Sequence, residues 1–309
     1  MISQRSSIDP QIEVSIVSHD AGGAELLSSY VRAHQIKCAF TLGGPALNVF
    51  RRKVGDVSTV PIQSAIREAK WMLCGSSWES DLEWEAIRLA RSNGVKSVAF
   101  LDHWGNYRDR FIRGNELILP DQIWVGDVYA EIMAKSAFPE VPIQLVDNPY
   151  LLELKAEIKA HPIVVRGGEQ GLNVLFVSEP LRKHGALRFG NERRWGYTEE
   201  EGLHYLLDNL HVFDRPIVSV VVRPHPSEPN DKYNWMVNKY NLPISIGGIR
   251  PLLEEVIESD VVVGFQSMAM VVGALAKKRV ISCIPPGGRV CSLPHQEIEH
   301  LQTLCQLNT

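Results

Sequence analysis

The segment Ile217–Glu228 reads IVSVVVRPHPSE and decides the fold class. Its nearly continuous apolar run predicts a strand that is buried on both faces, as in a parallel sheet. His225 follows this run between two prolines, which fix the backbone at the carboxyl end of the strand. Ligands of open α/β sheets bind at that end, so His225 is the first candidate binding residue.

A second unit of the same kind lies downstream. The run Asp260–Gly264 predicts a buried strand, Phe265–Ser267 a tight turn, and Met268–Lys278 a helix whose amino end faces the same edge. The free N–H groups at the amino end of a helix attract anions. We therefore expect a phosphate site at this edge, formed by Arg223, His225, Gln266 and Ser267.

Three of these residues also have an ordinary structural role open to them. His225 could be satisfied by a backbone carbonyl, and Arg223 could form a salt bridge within its own domain instead of charging the site. Ser267 could cap the helix, a role that is compatible with binding phosphate.

The composition of the chain limits the classes of protein to which it can belong. The chain has 309 residues, 45% of them hydrophobic and 22% charged, which suits two globular domains. A net charge of -4 and the lack of a long basic run argue against nucleic acid as a partner. Five cysteines without C-x-x-C spacing indicate reduced thiols and a cytoplasmic location. No apolar run is long enough to span a membrane, while peripheral membrane association stays open.

The alternation of strands and helices predicts an α/β protein with two Rossmann-like domains facing each other across a cleft. We place the first domain at residues 1–160, the second at 161–309, and the linker in His161–Gly171. The polar segment Glu179–Tyr197 is expected to be a long functional loop. The predicted strands are Glu13–Ser18, Lys37–Leu42, Trp71–Cys74, Ser97–Leu101, Gln122–Val125, Ile143–Val146, Asn173–Ser178, Ile217–Val222, Ile244–Ile246, Asp260–Gly264 and Val280–Ile284.

The end of the first predicted strand carries the sequence SHDAGGAE at Ser18–Glu25. Gly22 and Gly23 would let the backbone approach a ligand, and Asp20 and His19 would face it. The alternative is an ordinary helix start at Ala24 that Asp20 or His19 caps. The G-x-G-x-x-G fingerprint of dinucleotide binding is missing.

Another polar segment, DHWGNYRDR at Asp102–Arg110, follows the fourth predicted strand. Polar and aromatic side chains at such a position are typical of a pocket for a sugar. We expect Asp102, His103 and Asn106 to line this pocket and Asp109 to lie in solvent. The signatures H-E-x-x-H, G-x-S-x-G, the Walker loop and a D-x-D at a strand end are missing from the sequence, so neither a metal ion nor a cofactor is predicted.

The order of these motifs resembles a GT-B-fold glycosyltransferase. The His-Pro motif at His225 and the later Ser267 resemble the donor domains of bacterial sialyltransferase and polysialyltransferase-like enzymes and of teichoic acid glycerophosphotransferases. The resemblance implies that both residues hold the phosphate of the donor. The first half, with Gly43–Pro45 and Val146–Pro149, is similar to lipid A disaccharide synthase and nucleotide-sugar 2-epimerases. GT-B donor domains often carry a ribose-binding glutamate after the serine turn, and Met268–Lys278 contains none.

These observations predict an inverting, metal-independent glycosyltransferase of polysaccharide biosynthesis. It would move a sugar from a CMP- or UDP-type donor to a hydroxyl of a glycan acceptor, with Asp20 as the general base and His225 and Ser267 stabilising the departing phosphate. The first domain would bind the acceptor and the second the nucleotide-sugar. A nucleotide-sugar epimerase or hydrolase is the first alternative, and a non-catalytic nucleotide-sugar-binding subunit is the second.

Overall fold

The computed structural model describes residues 12–77, 79–161, 171–237 and 239–307. They form two compact units, Met1–Glu153 and Leu154–Thr309. The division falls inside one helix, a few residues before the predicted boundary at 160 and 161, and most of the predicted linker, residues 162–170, lies outside the described residues.

The first unit alternates strands with helices as the sequence predicts. Its strands are β1 Val14–Ser18, β2 Cys38–Leu42, β3 Trp71–Cys74, β4 Lys96–Leu101, β5 Ile112–Arg113, β6 Glu116–Leu117, β7 Gln122–Val125 and β8 Ile143–Leu145. Its helices are α1 Ala21–His34, α2 Ala46–Val54, α3 Ile62–Glu68, α4 Leu82–Ser92 and α5 Val128–Ala137, and α6 Pro149–Ala160 crosses the division between the units.

Six of these strands form one parallel sheet in the order β2-β1-β3-β4-β7-β8, and β5 and β6 form a separate hairpin. Tyr30 of α1 packs on Phe100 and Trp124 of the sheet, with ring centroids 6.4 and 5.4 Å away. The order reverses between β1 and β3, because the chain moves to one side of β1 for β2 and to the other for β3. Such a switch point opens a crevice at the carboxyl ends of the two strands.

The second unit has its own parallel sheet, in the order β11-β10-β9-β12-β13-β14. Its switch point lies between β9 and β12. The strands are β9 Leu172–Val177, β10 Ile217–Arg223, β11 Ile244–Ile246, β12 Val261–Gly264, β13 Arg279–Ser282 and β14 Ile298–His300. The helices are α7 Leu181–Phe189, α8 Glu199–Asp208, α9 Leu252–Glu258, α10 Met268–Leu275 and α11 Leu301–Leu307.

The structure confirms the α/β class with two Rossmann-like units and corrects several elements. Helix α1 begins at Ala21 and not at Ala24, so Gly22 and Gly23 lie in its first turn. The segment Glu179–Tyr197 is not one long loop, because it contains α7. Near the carboxyl end of the chain, a short strand, β14, is followed by α11.

Each sheet packs against its own apolar core. Cys74 in β3 and Cys283 after β13 are fully buried there, and burial raises the pKa of both thiols well above its usual value. None of the helices in the described part of the chain has the length and apolar character needed to cross a bilayer.

Candidate functional site

Asp20 lies at the switch point of the first unit. It directly follows β1, and the Ser77 hydroxyl, from the segment after β3, donates to its Oδ1 at 2.6 Å. His19 Nδ1 lies 2.9 Å from the same oxygen. The Asp20 side chain makes no capping bond to α1 and stays 26% exposed, so it is oriented and still accessible to a ligand.

The imidazole of His19 packs against the glycine turn that follows β2. A side chain at Gly44 would overlap His19 Nε2, and one at Gly43 would lie 3.0 Å from Cδ2. His19 therefore fills space between two strand ends and orients Asp20.

Glu83 of α4 lies beneath this group, where it is 3% exposed. Its Oε1 accepts the backbone N–H of His19 at 2.7 Å, and within the described ranges its Oε2 has no hydrogen-bond partner. Burial raises the pKa of Glu83 to about 8, with the charge of Asp20 adding to the effect and the His19 N–H opposing it. Glu83 is therefore protonated at neutral pH.

Asp102 follows β4 and approaches the same switch point. Arg110 joins it to the end of β3, because its Nη1 donates to Asp102 Oδ1 at 3.2 Å and to the Ser76 carbonyl at 2.8 Å. A side chain at Gly22 would overlap Asp102 Oδ2, so only glycine allows the carboxylate this close to α1. Burial raises the pKa of Asp102 even though 15% of its side chain is exposed; Arg110 opposes this rise and Asp20 adds to it.

The other predicted pocket residues lie in the same segment after β4. His103 and Asn106 are partly exposed, and Asn106 adopts a left-handed backbone conformation with a φ of 54°. Asp109 is exposed, as expected. Trp104 is buried, and its Nε1 donates to Asp127 at 2.7 Å, which ties the segment to the start of α5.

In the second unit, the turn at His225 is closed by Glu228. The Glu228 carboxylate accepts the His225 N–H at 2.8 Å, and the Glu228 N–H donates back to the His225 carbonyl at 2.8 Å. The Ser227 N–H donates to His225 Nδ1 at 3.2 Å. The Ser227 hydroxyl also lies 2.9 Å from Nδ1. In the tautomer that accepts these bonds at Nδ1, Nε2 carries the proton and is the donor.

Lys232 holds this turn through charge. It is 18% exposed and forms ion pairs with Glu228, Glu199 and Glu200. Burial lowers the pKa of Lys232, but its bonds to Glu199 and Glu228 outweigh this and raise the pKa above its usual value. A cavity of about 420 Å³ adjoins the turn, and Ser227, Glu228 and Lys232 line part of it.

Arg223 takes the structural role that the sequence left open. Its Nη1 donates to Glu255 Oε2 at 2.7 Å and to the Arg250 carbonyl at 2.9 Å, while Glu255 Oε1 accepts the Gly248 N–H at 2.8 Å. The guanidinium thereby joins the ends of β10 and β11.

Gln266 and Ser267 begin α10, at the switch point between β9 and β12. The Ser267 hydroxyl does not cap α10. Instead the carboxylate of Glu179, which follows β9, accepts the Gln266 N–H at 2.6 Å. The Gln266 side-chain oxygen accepts the Ser292 N–H at 3.1 Å and the Ser292 hydroxyl at 3.0 Å.

The structure brings Asp20, His19, Gly22 and Asp102 together at one sheet edge, and it places Arg223, His225, Gln266 and Ser267 along the edge of the other. Sequence reasoning missed Ser77, Glu83, Arg110 and Glu179. Ser77, Arg110 and Glu179 carried a signal, since all three lie in segments that follow predicted strands. Among the described residues, no group of three His, Cys, Asp or Glu side chains is placed to hold a metal ion.

Known structures share this fold. A UDP-GlcNAc 2-epimerase from Methanocaldococcus jannaschii, in complex with UDP-GlcNAc and UDP, is 10% identical, with a TM-score of 0.61 over 96% of this chain and 92% of its own. A second structure of the epimerase from that organism gives 0.58 at 11% identity, over 95% of this chain and 91% of its own.

The wall teichoic acid polymerase TagF, as a variant soaked with CDPG, matches with a TM-score of 0.50 at 13% identity, over 98% of this chain and 79% of its own. No protein-family model matches the chain, and no curated protein matches it by sequence. The chain thus has the fold of the GT-B class, with two Rossmann-like domains.

Proposed function

We propose that the protein is a metal-independent inverting glycosyltransferase that moves a sugar from a CMP- or UDP-type donor to a hydroxyl of a glycan acceptor. One observation carries the proposal: the Asp20 carboxylate, partly exposed at a topological switch point, is oriented by Ser77 and His19. An oriented, accessible carboxylate is the group that can take the proton of an attacking hydroxyl.

In the proposed reaction, the acceptor oxygen attacks the anomeric carbon while its proton passes to Asp20. The bond between that carbon and the donor phosphate breaks, and the phosphate leaves with the bonding electrons. His225, a donor through Nε2, and the N–H groups at the start of α10 stabilise the developing negative charge. Arg223 keeps the strand ends in place through its ion pair with Glu255.

The sugar of the donor needs many hydrogen-bond partners. The cavity beside the His225 turn offers carboxylates, a serine hydroxyl and the Lys232 ammonium, all of which suit sugar hydroxyls. In the first unit, His103, Asn106 and Asp102 would contact the acceptor, with Gly22 and Gly23 allowing close approach of the backbone.

The first experiment is a thermal-shift panel of CMP, CDP, UDP and their sugar conjugates, followed by turnover with the donor that binds. We expect Asp20→Asn to lower kcat about 100-fold or more, which is the usual contribution of a general base. Asp109→Asn is the matched control, because it removes a carboxylate that is exposed in the same unit. EDTA should leave turnover unchanged. Equal turnover of Asp20→Asn and wild type would refute the proposal.

A nucleotide-sugar epimerase or hydrolase is a second candidate, and the carboxyl pair in the first unit favours it. Burial raises the pKa of Asp102, and Asp20 lies nearby, so the two carboxyl groups can supply the acid and the base that such reactions need. Incubation with the donor alone separates the candidates, since only an epimerase or hydrolase consumes it without an acceptor. Binding without turnover on any acceptor would favour a non-catalytic subunit.

A further inference from the structure

A carboxylate of the protein already occupies the proposed phosphate site of the second unit. Glu179 follows β9, and its Oε1 accepts the Gln266 N–H at 2.6 Å. The backbone N–H groups of Phe265 and Ser267 also stabilise its charged form. These donors are the ones that a phosphate at the amino end of α10 would take.

Tyr197 provides an independent sign that the site accepts a further oxygen. It is 1% exposed, its ring packs on Phe265 at a centroid distance of 5.2 Å, and its hydroxyl has no partner in the described part of the chain. Burial raises the pKa of Tyr197, and Glu179 is the charge that adds most to this effect. A buried hydroxyl without a partner costs free energy, which a phosphate oxygen within reach would recover.

We propose that Glu179 controls the affinity of the donor site: its carboxylate competes with the donor phosphate for the N–H groups at the start of α10. The proposal rests on the function proposed above. A phosphate bound to these N–H groups would repel a charged Glu179. The ligand therefore binds when Glu179 is neutral and no longer occupies the N–H groups.

The surroundings of Glu179 offer it little compensation for its charge. Among the described residues, Tyr197, Cys283 and Cys291 interact with its charge, and none of these three can become a cation. The Arg223 guanidinium, on the neighbouring strand, is paired with Glu255. Although Glu179 keeps some exposure to solvent, desolvation raises its pKa to about 7, with the backbone N–H groups of Gln266, Ser267 and Phe265 opposing the rise.

This competition makes nucleotide affinity depend on pH in a specific way. The apparent affinity follows the neutral fraction of Glu179, which falls about 30-fold between pH 6 and pH 8.5 for a group that titrates at about 7. An imidazole and the terminal phosphate of the ligand also titrate near this range. The informative quantity is therefore the difference between two proteins that share those groups.

The test is isothermal titration of UDP and CDP into wild type and Glu179→Gln at pH 6 and pH 8.5. Glutamine keeps the acceptor oxygen and removes the charge. We expect Glu179→Gln to bind at least 10-fold more tightly than wild type at pH 8.5, and equally at pH 6. Asp214→Asn is the matched control, since Asp214 is an exposed acid of the same unit, paired with Arg279, that precedes β10 at the opposite edge of the sheet. It should follow wild type.

A second measurement needs only wild type and does not depend on how the variant folds. At pH 8, titrations in two buffers of different ionisation enthalpy should show uptake of about one proton per bound nucleotide, because Glu179 must become neutral. Tyr197→Phe should weaken binding several-fold while it preserves the ring packing.

Identical pH profiles for wild type and Glu179→Gln, or binding without proton uptake, would overturn the competition while the proposed function stands. If neither protein binds any nucleotide at either pH, the proposed function and the competition both fail.

Discussion

Ser77 and Asp20 are 57 residues apart in sequence, and the Ser77 hydroxyl donates to Asp20 Oδ1 at 2.6 Å across the switch point of the first sheet. The same hydroxyl accepts the Ser80 N–H at 2.9 Å, so it couples the carboxylate to the segment that leads into α4. This bond selects one orientation of Asp20 among those that its partial exposure allows.

We expect Ser77→Ala to lower kcat about 10-fold or more and to change KM little, because a misplaced base slows proton transfer more than it weakens binding. Ser77→Thr keeps a hydroxyl and should recover most of the loss. Steady-state kinetics on the identified substrate provide the measurement, with Ser92→Ala in the exposed end of α4 as the control. A change in KM alone would contradict this role.

Glu83 should make stability fall as pH rises. The usual pKa of a glutamate is 4.5, and that of folded Glu83 is about 8, so between these values the folded protein keeps a proton that the unfolded chain has released. Each pKa unit corresponds to about 1.4 kcal/mol, so the loss across this window amounts to several kcal/mol. Glu83→Gln should abolish it.

Chemical denaturation of the first unit at pH 5 and pH 8.5 measures this effect. Glu85→Gln is the matched control, because Glu85 lies on the same helix, pairs with Arg88 at the surface and has a lowered pKa. If the free energy of unfolding changes between these two pH values in the same way for wild type and for Glu83→Gln, Glu83 is charged in the folded state.

Gly22→Ala should disturb Asp102 directly. The new methyl group would overlap Asp102 Oδ2, and relief requires the carboxylate to move away from Arg110 or α1 to shift. Forced overlap of this kind usually costs about 1–3 kcal/mol. In Gly22→Ala/Asp102→Ala the overlap is gone, so the double mutant should be more stable than the sum of the single effects predicts. Strict additivity in urea unfolding would contradict the contact.

Lys232→Met should destabilise the second unit by about 3–5 kcal/mol, because the buried carboxylates of Glu199 and Glu228 lose the Lys232 cation. Arg193→Met removes an exposed ion pair with Glu201 in the same unit and should cost less than about 1 kcal/mol. The Glu228 carboxylate that Lys232 holds also binds the His225 N–H, so nucleotide binding should weaken as well.

Strands and helices with a clear apolar period could be predicted from the sequence. β3, β7 and β11 have the predicted bounds, since each combines a clean pattern with a proline, glycine or charged residue at its ends. Helix α7 was not predicted because Arg, Lys, His and Gly make up five of its nine residues. Gly185 indicates a loop by composition, but the structure needs glycine there because a side chain would overlap the Asn191 carbonyl. β14 was not predicted because it has only three residues, which are too few to show an apolar period.

The candidate sites were predictable where one residue follows a strand, as with Asp20, Asp102 and His225. The partners that define them were not. Glu83 has the pattern of an ordinary amphipathic helix residue, and its burial depends on a contact with His19, 64 positions away. Glu179 precedes a proline at a helix start, where an acid is common for local reasons. Its bond to Gln266 spans 87 residues and depends on sheet order, which the local pattern does not contain.

The two fully buried thiols make the opening of each unit separately observable. Cys74 belongs to the first sheet and Cys283 to the second, and a thiol reacts only as an accessible thiolate. Alkylation at either position therefore requires the surrounding sheet to open, and its rate under native conditions reports the free energy of that opening. Pulsed labelling followed by peptide mapping would thus give the opening rate of each unit from a single sample. Bound nucleotide should slow labelling most in the unit that binds it.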